Sequence, residues 1–206
     1  MESLYGCPPP DLSMRSVDHG LPYDALITWL DLFQKRKYLF DLRLEPDSLC
    51  GLTVLDIGSG PFPNLTAFRN CERYGIDPLI YEYYRAGFPI GDWSVDYTYL
   101  CAAAEHMPFH DNSFDAVISV NAIDHVDDFA AVATEIRRVS RPGALFRMHT
   151  HYHEATATEP VELNDSIFLS HYAWVPGIRK IDESTTKDCG FTRAPSKELY
   201  VLWGNT

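Results

Sequence analysis

Basic residues are scarce in this chain of 206: 17 lysines and arginines stand against 29 aspartates and glutamates, a net charge of −12. No basic run exceeds Lys35-Arg36-Lys37. Affinity for a phosphate backbone comes from counterions that Lys and Arg displace, so this balance argues against nucleic acid as a partner. Long apolar runs are missing too. No stretch approaches the roughly 20 apolar residues that a membrane-spanning helix requires. Residues 1–16 carry no apolar core behind a basic start, which predicts no secretory leader. The five cysteines (Cys7, Cys50, Cys71, Cys101 and Cys189) are odd in number, far apart and without a Cys-x-x-Cys pair. That spacing favours free thiols in a reducing cytosol over a disulfide or zinc framework. Repeats and low-complexity tracts are absent as well. What remains is a globular composition, 46% hydrophobic, in a chain long enough to bury about 70% of its unfolded surface. The expectation is a soluble, cytoplasmic protein of one domain, compatible with a homodimer.

Periodicity divides the chain. Residues 1–21 are polar and proline-rich and read as an extended lead-in. From 23 to about 42, Leu26, Trp29, Leu30 and Phe33 recur at helical spacing behind Pro22. Glu45-Pro46 ends that segment. Short apolar runs then alternate with helical patterns: 53–57, 74–77, 97–102, 114–121 and 144–150 read as strands, 79–85 and 128–139 as helices. This alternation predicts a mainly parallel sheet with right-handed crossovers. Residues 154–176 show no clean period. Residues 184–189 suggest a short helix capped by Gly190, and 191–194 and 198–203 suggest two final strands.

The run Thr53-Val54-Leu55-Asp56-Ile57 leads into Gly58-Ser59-Gly60-Pro61. A strand ending in such a turn brings small residues and backbone N–H groups to the carboxyl edge of the sheet, where open α/β folds bind ligands. Asp77 follows Asp56 by 21 residues and closes the next strand, a position from which a carboxylate can bind ribose hydroxyls. A dinucleotide fingerprint requires a third glycine where Pro63 stands, and Pro61 and Pro63 remove two N–H groups that a pyrophosphate would use. A carboxylate at Asp56 repels pyrophosphate but suits an ammonium group. A sulfonium nucleoside with an amino-acid tail therefore fits better than NAD.

The ordered motifs resemble class I S-adenosylmethionine-dependent methyltransferases of the small-molecule type over residues 52–153. The carriers are Val54-Leu55-Asp56-Ile57-Gly58-Ser59-Gly60, Asp77 followed by Pro78, Ala104-Glu105-His106-Met107-Pro108-Phe109 with Asn112-Ser113-Phe114-Asp115, Asn121-Ala122-Ile123-Asp124-His125-Val126, and Glu135 to Val139 with Arg141-Pro142-Gly143. The resemblance implies an α/β, doubly wound, mostly parallel Rossmann-like sheet with an antiparallel C-terminal strand. It implies S-adenosyl-L-methionine as cofactor. Asp56, Gly58, Ser59 and Gly60 would hold the methionine part, Asp77 and Pro78 the ribose side, Ala104 and Glu105 the adenine border, and Asn121 the neighbourhood of the sulfonium. The family often has glycine where Phe62 stands and aspartate where Ala103 stands. Phe62 is therefore expected to narrow the methionine pocket, and adenine contacts fall to backbone or Glu105.

Methyl transfer is an in-line displacement in which positioning supplies much of the rate, and a base is needed only where the nucleophile must lose a proton. His125 and His151, placed after the fourth strand and on the fifth, are the candidate catalytic residues. His149, His151 and His153 share one side of a strand at period two, an arrangement that raises a metal reading. Glu159 and Asp124 could add ligands, but nothing in the sequence brings them close. No metal is assigned on this ground, and His151 reads as a substrate contact or auxiliary base. Tyr81, Tyr83, Tyr84 and Phe88 read as helix packing, with cofactor stacking as the alternative. The domain plan is a lead-in and helix (1–44), a cofactor-binding core (52–153), a substrate cover (154–181) and final strands (182–206). The expected function is methyl transfer to oxygen or nitrogen of a small polar metabolite. A non-catalytic partner of the same fold is the alternative.

Overall fold

The chain forms seven strands: β1 (Thr53–Ile57), β2 (Glu72–Ile76), β3 (Thr98–Leu100), β4 (Phe114–Val120), β5 (Ser140–Tyr152), β6 (Arg179–Asp188) and β7 (Arg193–Gly204). The computed structural model describes residues 23–188 and 193–205. The strands form one sheet in the order β3-β2-β1-β4-β5-β7-β6. β1 to β5 run parallel, while β7 is antiparallel to both β5 and β6. The expected mostly parallel sheet with an antiparallel C-terminal strand is the one observed. The chain leaves β1 toward β2 on one side and returns through β4 on the other. The order thus reverses between β1 and β4, and their carboxyl ends open a crevice there. β1 and β4 are buried along nearly their whole length, as strands covered on both faces must be.

Each face has its own cover. On one side lies α5 (Phe129–Val139), whose Phe129, Val132, Ala133, Ile136 and Val139 are all buried, a single apolar stripe at helical spacing. Asp128 caps it by accepting from the Ala131 N–H at 2.9 Å. Beside it packs α6 (Asp165–Tyr172), capped by Asn164. Phe168 of α6 is fully buried, with ring centroids 4.5 Å from Tyr172 and 4.7 Å from Trp203 of β7. On the other side, the N-terminal segment forms α1 (Tyr23–Trp29), a π-helical turn (Leu30–Gln34) and α2 (Lys35–Leu42). Tyr38 and Leu42 of α2 join Leu65, Phe68, Ala116 and Ile118 in one cluster. The link between β1 and β2 holds only a short 3₁₀ turn, Asn64–Ala67. Pro61 and Pro63 lack the N–H groups a full helix would need there, and α2 fills the layer instead. Two short helices, α3 (Ile80–Arg85) and α4 (Ile90–Trp93), precede β3.

The tail departs from expectation. Residues 184–188 continue β6 rather than forming a helix, because they pair with β7 through Ser184↔Tyr200 and its neighbours. Cross-strand pairing here overrides a weak local helix preference. The two short final strands are one strand, β7, from Arg193 onward. The segment expected as cover already enters the sheet at Arg179 and contains α6, which the missing period concealed. The lead-in 1–21, Cys189 with its Gly190 cap, and Phe191 lie outside the described residues.

Phe168 joins α6 to the sheet, so Phe168→Ala should destabilise the fold by about 3–5 kcal/mol, read as a lower urea midpoint at unchanged slope.

Candidate functional site

The turn after β1 sits where the sheet opens. The Gly58 and Ser59 N–H groups both donate to the Ile76 carbonyl, at 2.9 and 3.1 Å, folding the turn over the end of β2. Gly58 has φ +68°, and a Cβ there would stand 2.2 Å from Cβ of Ala122 in the turn after β4. Only glycine fits. Gly60, at φ +63°, donates its N–H to Asp77 Oδ2 at 3.0 Å, and the Leu79 N–H donates to Asp77 Oδ1 at 2.8 Å. Burial raises the Asp77 carboxyl above its ordinary range, while the two backbone donors oppose that shift.

These groups border a cavity of about 690 Å³, within the range of roughly 300–1,000 Å³ usual for small-molecule sites. Gly58, Gly60, Asp77, Pro78, Ala104, Glu105, Asn121 and His125 all line it, as does Ala103. Glu105 has a structural task as well: its Oε1 accepts from the N–H groups of Asp127 and Asp128, at 2.9 and 3.3 Å, holding the loop that bears His125. Tyr83, of the aromatic cluster read mainly as helix packing, also lines the cavity, as does Thr158, which the sequence did not single out. Burial, with Asp77 and Glu82 nearby, pushes the Tyr83 hydroxyl up to about 12. Thr158 carries no local signal; it arrives because its loop folds back over β5.

Asp56, Ser59 and His151 do not line the cavity. Asp56 is completely buried beneath the turn, where Tyr38 and Tyr97 donate their hydroxyls to its Oδ2 at 2.9 and 3.3 Å. Burial raises its carboxyl to about 8 despite both phenols. Its place is that of a neutral pin between α2 and the sheet, not of a charge facing an ammonium group. Ser59 is turned inward, its Oγ bonded to the Gly60 carbonyl and its own carbonyl accepting from the Asn64 amide. Phe62 packs between Phe88 and Trp93 and is not part of the cavity wall, so it does not narrow the pocket.

Beyond Asn121 and His125 in the cavity wall lies an acidic, imidazole-rich cluster. Asn121, in the left-handed region at φ +56°, accepts from His151 Nδ1 at 2.6 Å. His151 Nε2 lies 3.2 Å from Asp124 Oδ2 and 3.4 Å from Glu159 Oε1. His153 Nε2 lies 3.5 Å from Asp124 Oδ2. His125, its side chain 40% exposed, places Nε2 at 3.5 Å from Glu159 Oε1 and 3.8 Å from Asp124 Oδ2. Burial alone would lower the His153 imidazole, but the Glu154 carbonyl, Glu159 and Asp124 outweigh it and raise it. The third histidine of the run stands apart: His149 stacks on Tyr200, and burial first, then Lys37, pushes it down to about 3.

Residues 55–148 match the family described as methyltransferase domain. Just under half of the chain is thus similar to methyltransferase domains. Among curated relatives, it is 30% identical over 196 residues to the botryococcene C-methyltransferase of Botryococcus braunii, covering 88% of this chain and 49% of that one. The chain spans less than half the length of the curated relatives it matches first. Among solved structures, YcgJ protein from Bacillus subtilis has a TM-score of 0.63 at 15% identity, over 84% of this chain and 97% of that one. The Burkholderia thailandensis 1,6-didemethyltoxoflavin-N1-methyltransferase, solved with S-adenosylhomocysteine, has a TM-score of 0.56 at 14% identity, over 89% and 83%. Both structures share the fold of this chain. Among the described residues, no helix is long and apolar enough to cross a membrane.

Two outcomes follow from the turn and its pin. Gly58→Ala should lose about 2 kcal/mol or more of stability and lower cofactor affinity at least about tenfold, read by urea unfolding and calorimetry. Asp56, raised from 3.8 to about 8, holds its proton in the folded state over that window. Its contribution is full below about 4 and falls as pH rises toward 8. Asp56→Asn should flatten that part of the stability–pH curve.

Proposed function

We propose that this protein transfers the methyl group of S-adenosylmethionine to oxygen or nitrogen of a small polar acceptor. One observation carries the reading: a single cavity has a glycine turn and Asp77 at one end and His125 with its carboxylates at the other. The cofactor fits the first end. Gly58 and Gly60 leave room for the methionine part, Asp77 is held by backbone N–H groups with its carboxylate at the cavity wall, and Pro78, Ala104 and Glu105 border the remainder. Asn121 then stands between cofactor and acceptor. When bound, S-adenosylmethionine supplies an electrophilic methyl carbon. Asp56 and Ser59 serve from beneath, by shaping the turn.

At the other end, His125 is the candidate general base. It is the accessible imidazole of the group, and a proton accepted at Nε2 faces Asp124 and Glu159. His151, buried and bonded to Asn121, aligns Asn121 and the carboxylates behind it. Residues 154–181 act as the substrate cover, since Thr158 and Glu159 come from this segment. Net charge of −12 supports a small acceptor over a nucleic acid, and Cys50, Cys71 and Cys101, none of them in a disulfide, support a cytoplasmic setting. A carbon acceptor is the second reading, favoured by the botryococcene relative; the buried carboxylates at the acceptor end favour a polar one.

Calorimetric titration should detect S-adenosylmethionine and S-adenosylhomocysteine but not NAD; no binding of either sulfur nucleoside at millimolar concentration overturns the reading. Asp77→Asn should weaken both by about 10- to 100-fold. Release of S-adenosylhomocysteine with phenolic, carboxylate, amine and alkene acceptors identifies the acceptor atom. With the best acceptor, His125→Ala should lower kcat about 10²- to 10⁴-fold while leaving cofactor affinity nearly unchanged.

A further inference from the structure

Asp124 Oδ2 is wholly buried and has no partner at hydrogen-bonding geometry, and neither has Nε2 of His153, whose side chain is 6% exposed. Such atoms are costly unless something charged lies between them. The tautomers sharpen the point. His151 Nδ1 faces Asn121 Oδ1 at 2.6 Å, and His153 Nδ1 faces the Glu154 carbonyl at 2.7 Å. Both oxygens only accept, so both Nδ1 atoms must donate. In its neutral form each ring presents a bare Nε2 lone pair toward carboxylate oxygens, a gap that only a proton or a cation can bridge. Acceptor faces acceptor.

We propose that Asp124, His151, His153 and Glu159 bind a divalent cation of the zinc class at the acceptor end of the cavity. Their four ligand atoms lie within 4.8 Å of one another. A tetrahedral ion with bonds of about 2.0–2.1 Å separates its ligands by roughly 3.3–3.4 Å. The separations here are 3.2, 3.4 and 3.5 Å for His151–Asp124, His151–Glu159 and His153–Asp124. Two neutral imidazoles and two carboxylates balance a charge of +2. Imidazole nitrogen with carboxylate oxygen selects Zn²⁺, Co²⁺, Mn²⁺ or Fe²⁺ over Ca²⁺.

The surroundings complete the site as outer partners of metal ligands usually do. Asn121 and the Glu154 carbonyl fix the two rings, and the Thr150 hydroxyl donates to Asp124 Oδ1 at 3.2 Å. Asn121 and His125 border both this cluster and the cavity, so an acceptor oxygen beside His125 would sit within reach of the ion. Taking the acceptor as a fifth ligand, a cation there lowers the pKa of the hydroxyl it touches. That use rests on the methyl-transfer reading; the site itself does not.

The test keeps the two apart. Protein purified without metal-affinity steps and stripped with EDTA is titrated with Zn²⁺ and Co²⁺, with bound metal counted by elemental analysis and Co²⁺ followed by its visible absorption. Wild type should take up a single equivalent with Kd of about 1 µM or tighter and show the intense visible bands of four-coordinate Co²⁺ with nitrogen and oxygen ligands. Asp124→Asn and His153→Ala should each weaken binding about 100-fold or more, and His110→Ala, at an exposed histidine, should not. If a buried variant fails to fold, Glu159→Gln on the loop tests the same site and should weaken binding. Absence of saturable uptake, or uptake indifferent to Asp124, His153 and Glu159, overturns the proposal. Calorimetry with S-adenosylhomocysteine on the same stripped protein reports the cofactor site independently.

Discussion

The close approach of Gly58 to Ala122 is the constraint on which the rest of the molecule depends. It brings the turn after β1 into contact with the turn after β4, at the one place where strand order reverses. Any side chain at 58 would force these turns apart by more than an ångström. With them together, Gly60 reaches Asp77 on one side, and Asn121 reaches His151 on the other. The two ends of the cavity are therefore set by one backbone contact.

Around that contact the structure handles its buried acids in three different ways. Asp56 keeps a proton and takes two tyrosine hydroxyls, which makes it a neutral strut. Asp77 is partly charged-compatible because two backbone N–H groups point at it. Asp124 receives one hydroxyl on one oxygen and leaves the other among imidazoles. An acidic chain can thus carry three interior aspartates on adjacent strand ends without three equal charges repelling one another. The net charge of −12 does not describe the site; the partners of each carboxyl do.

Much of the architecture was legible in the chain. The apolar runs at 53–57, 114–121 and 144–150 became central strands because burial on both faces demands continuous hydrophobicity. The 128–139 stripe became α5 with its cap in place. The tail was not legible, since β6 and β7 owe their existence to pairing with β5 and each other rather than to local preference. α6 was hidden for a similar reason: its apolar contacts, Phe168 and Tyr172, are only two, and Trp203 that completes them lies 31 residues beyond Tyr172. At the site, the glycines, Asp77, Asn121 and His125 stand where strand ends put them. Asp56 was misjudged because sequence shows that a carboxyl lies beside a turn but not which side of the sheet it faces.

The sequence by itself determined the strand–turn grammar, the order of the motifs and the kind of cofactor that a glycine turn followed by a distant aspartate accepts. These are local properties, carried by spacing and by the conformations that glycine and proline allow. Only the tertiary structure decided that Asp124, Glu159, His151 and His153 share one small volume, that His149 is excluded from it, and that Thr158 reaches the cavity. Those relations span different strands and a returning loop. Chain spacing carries no distance information across such elements; the sheet order and the path of the loop supply it.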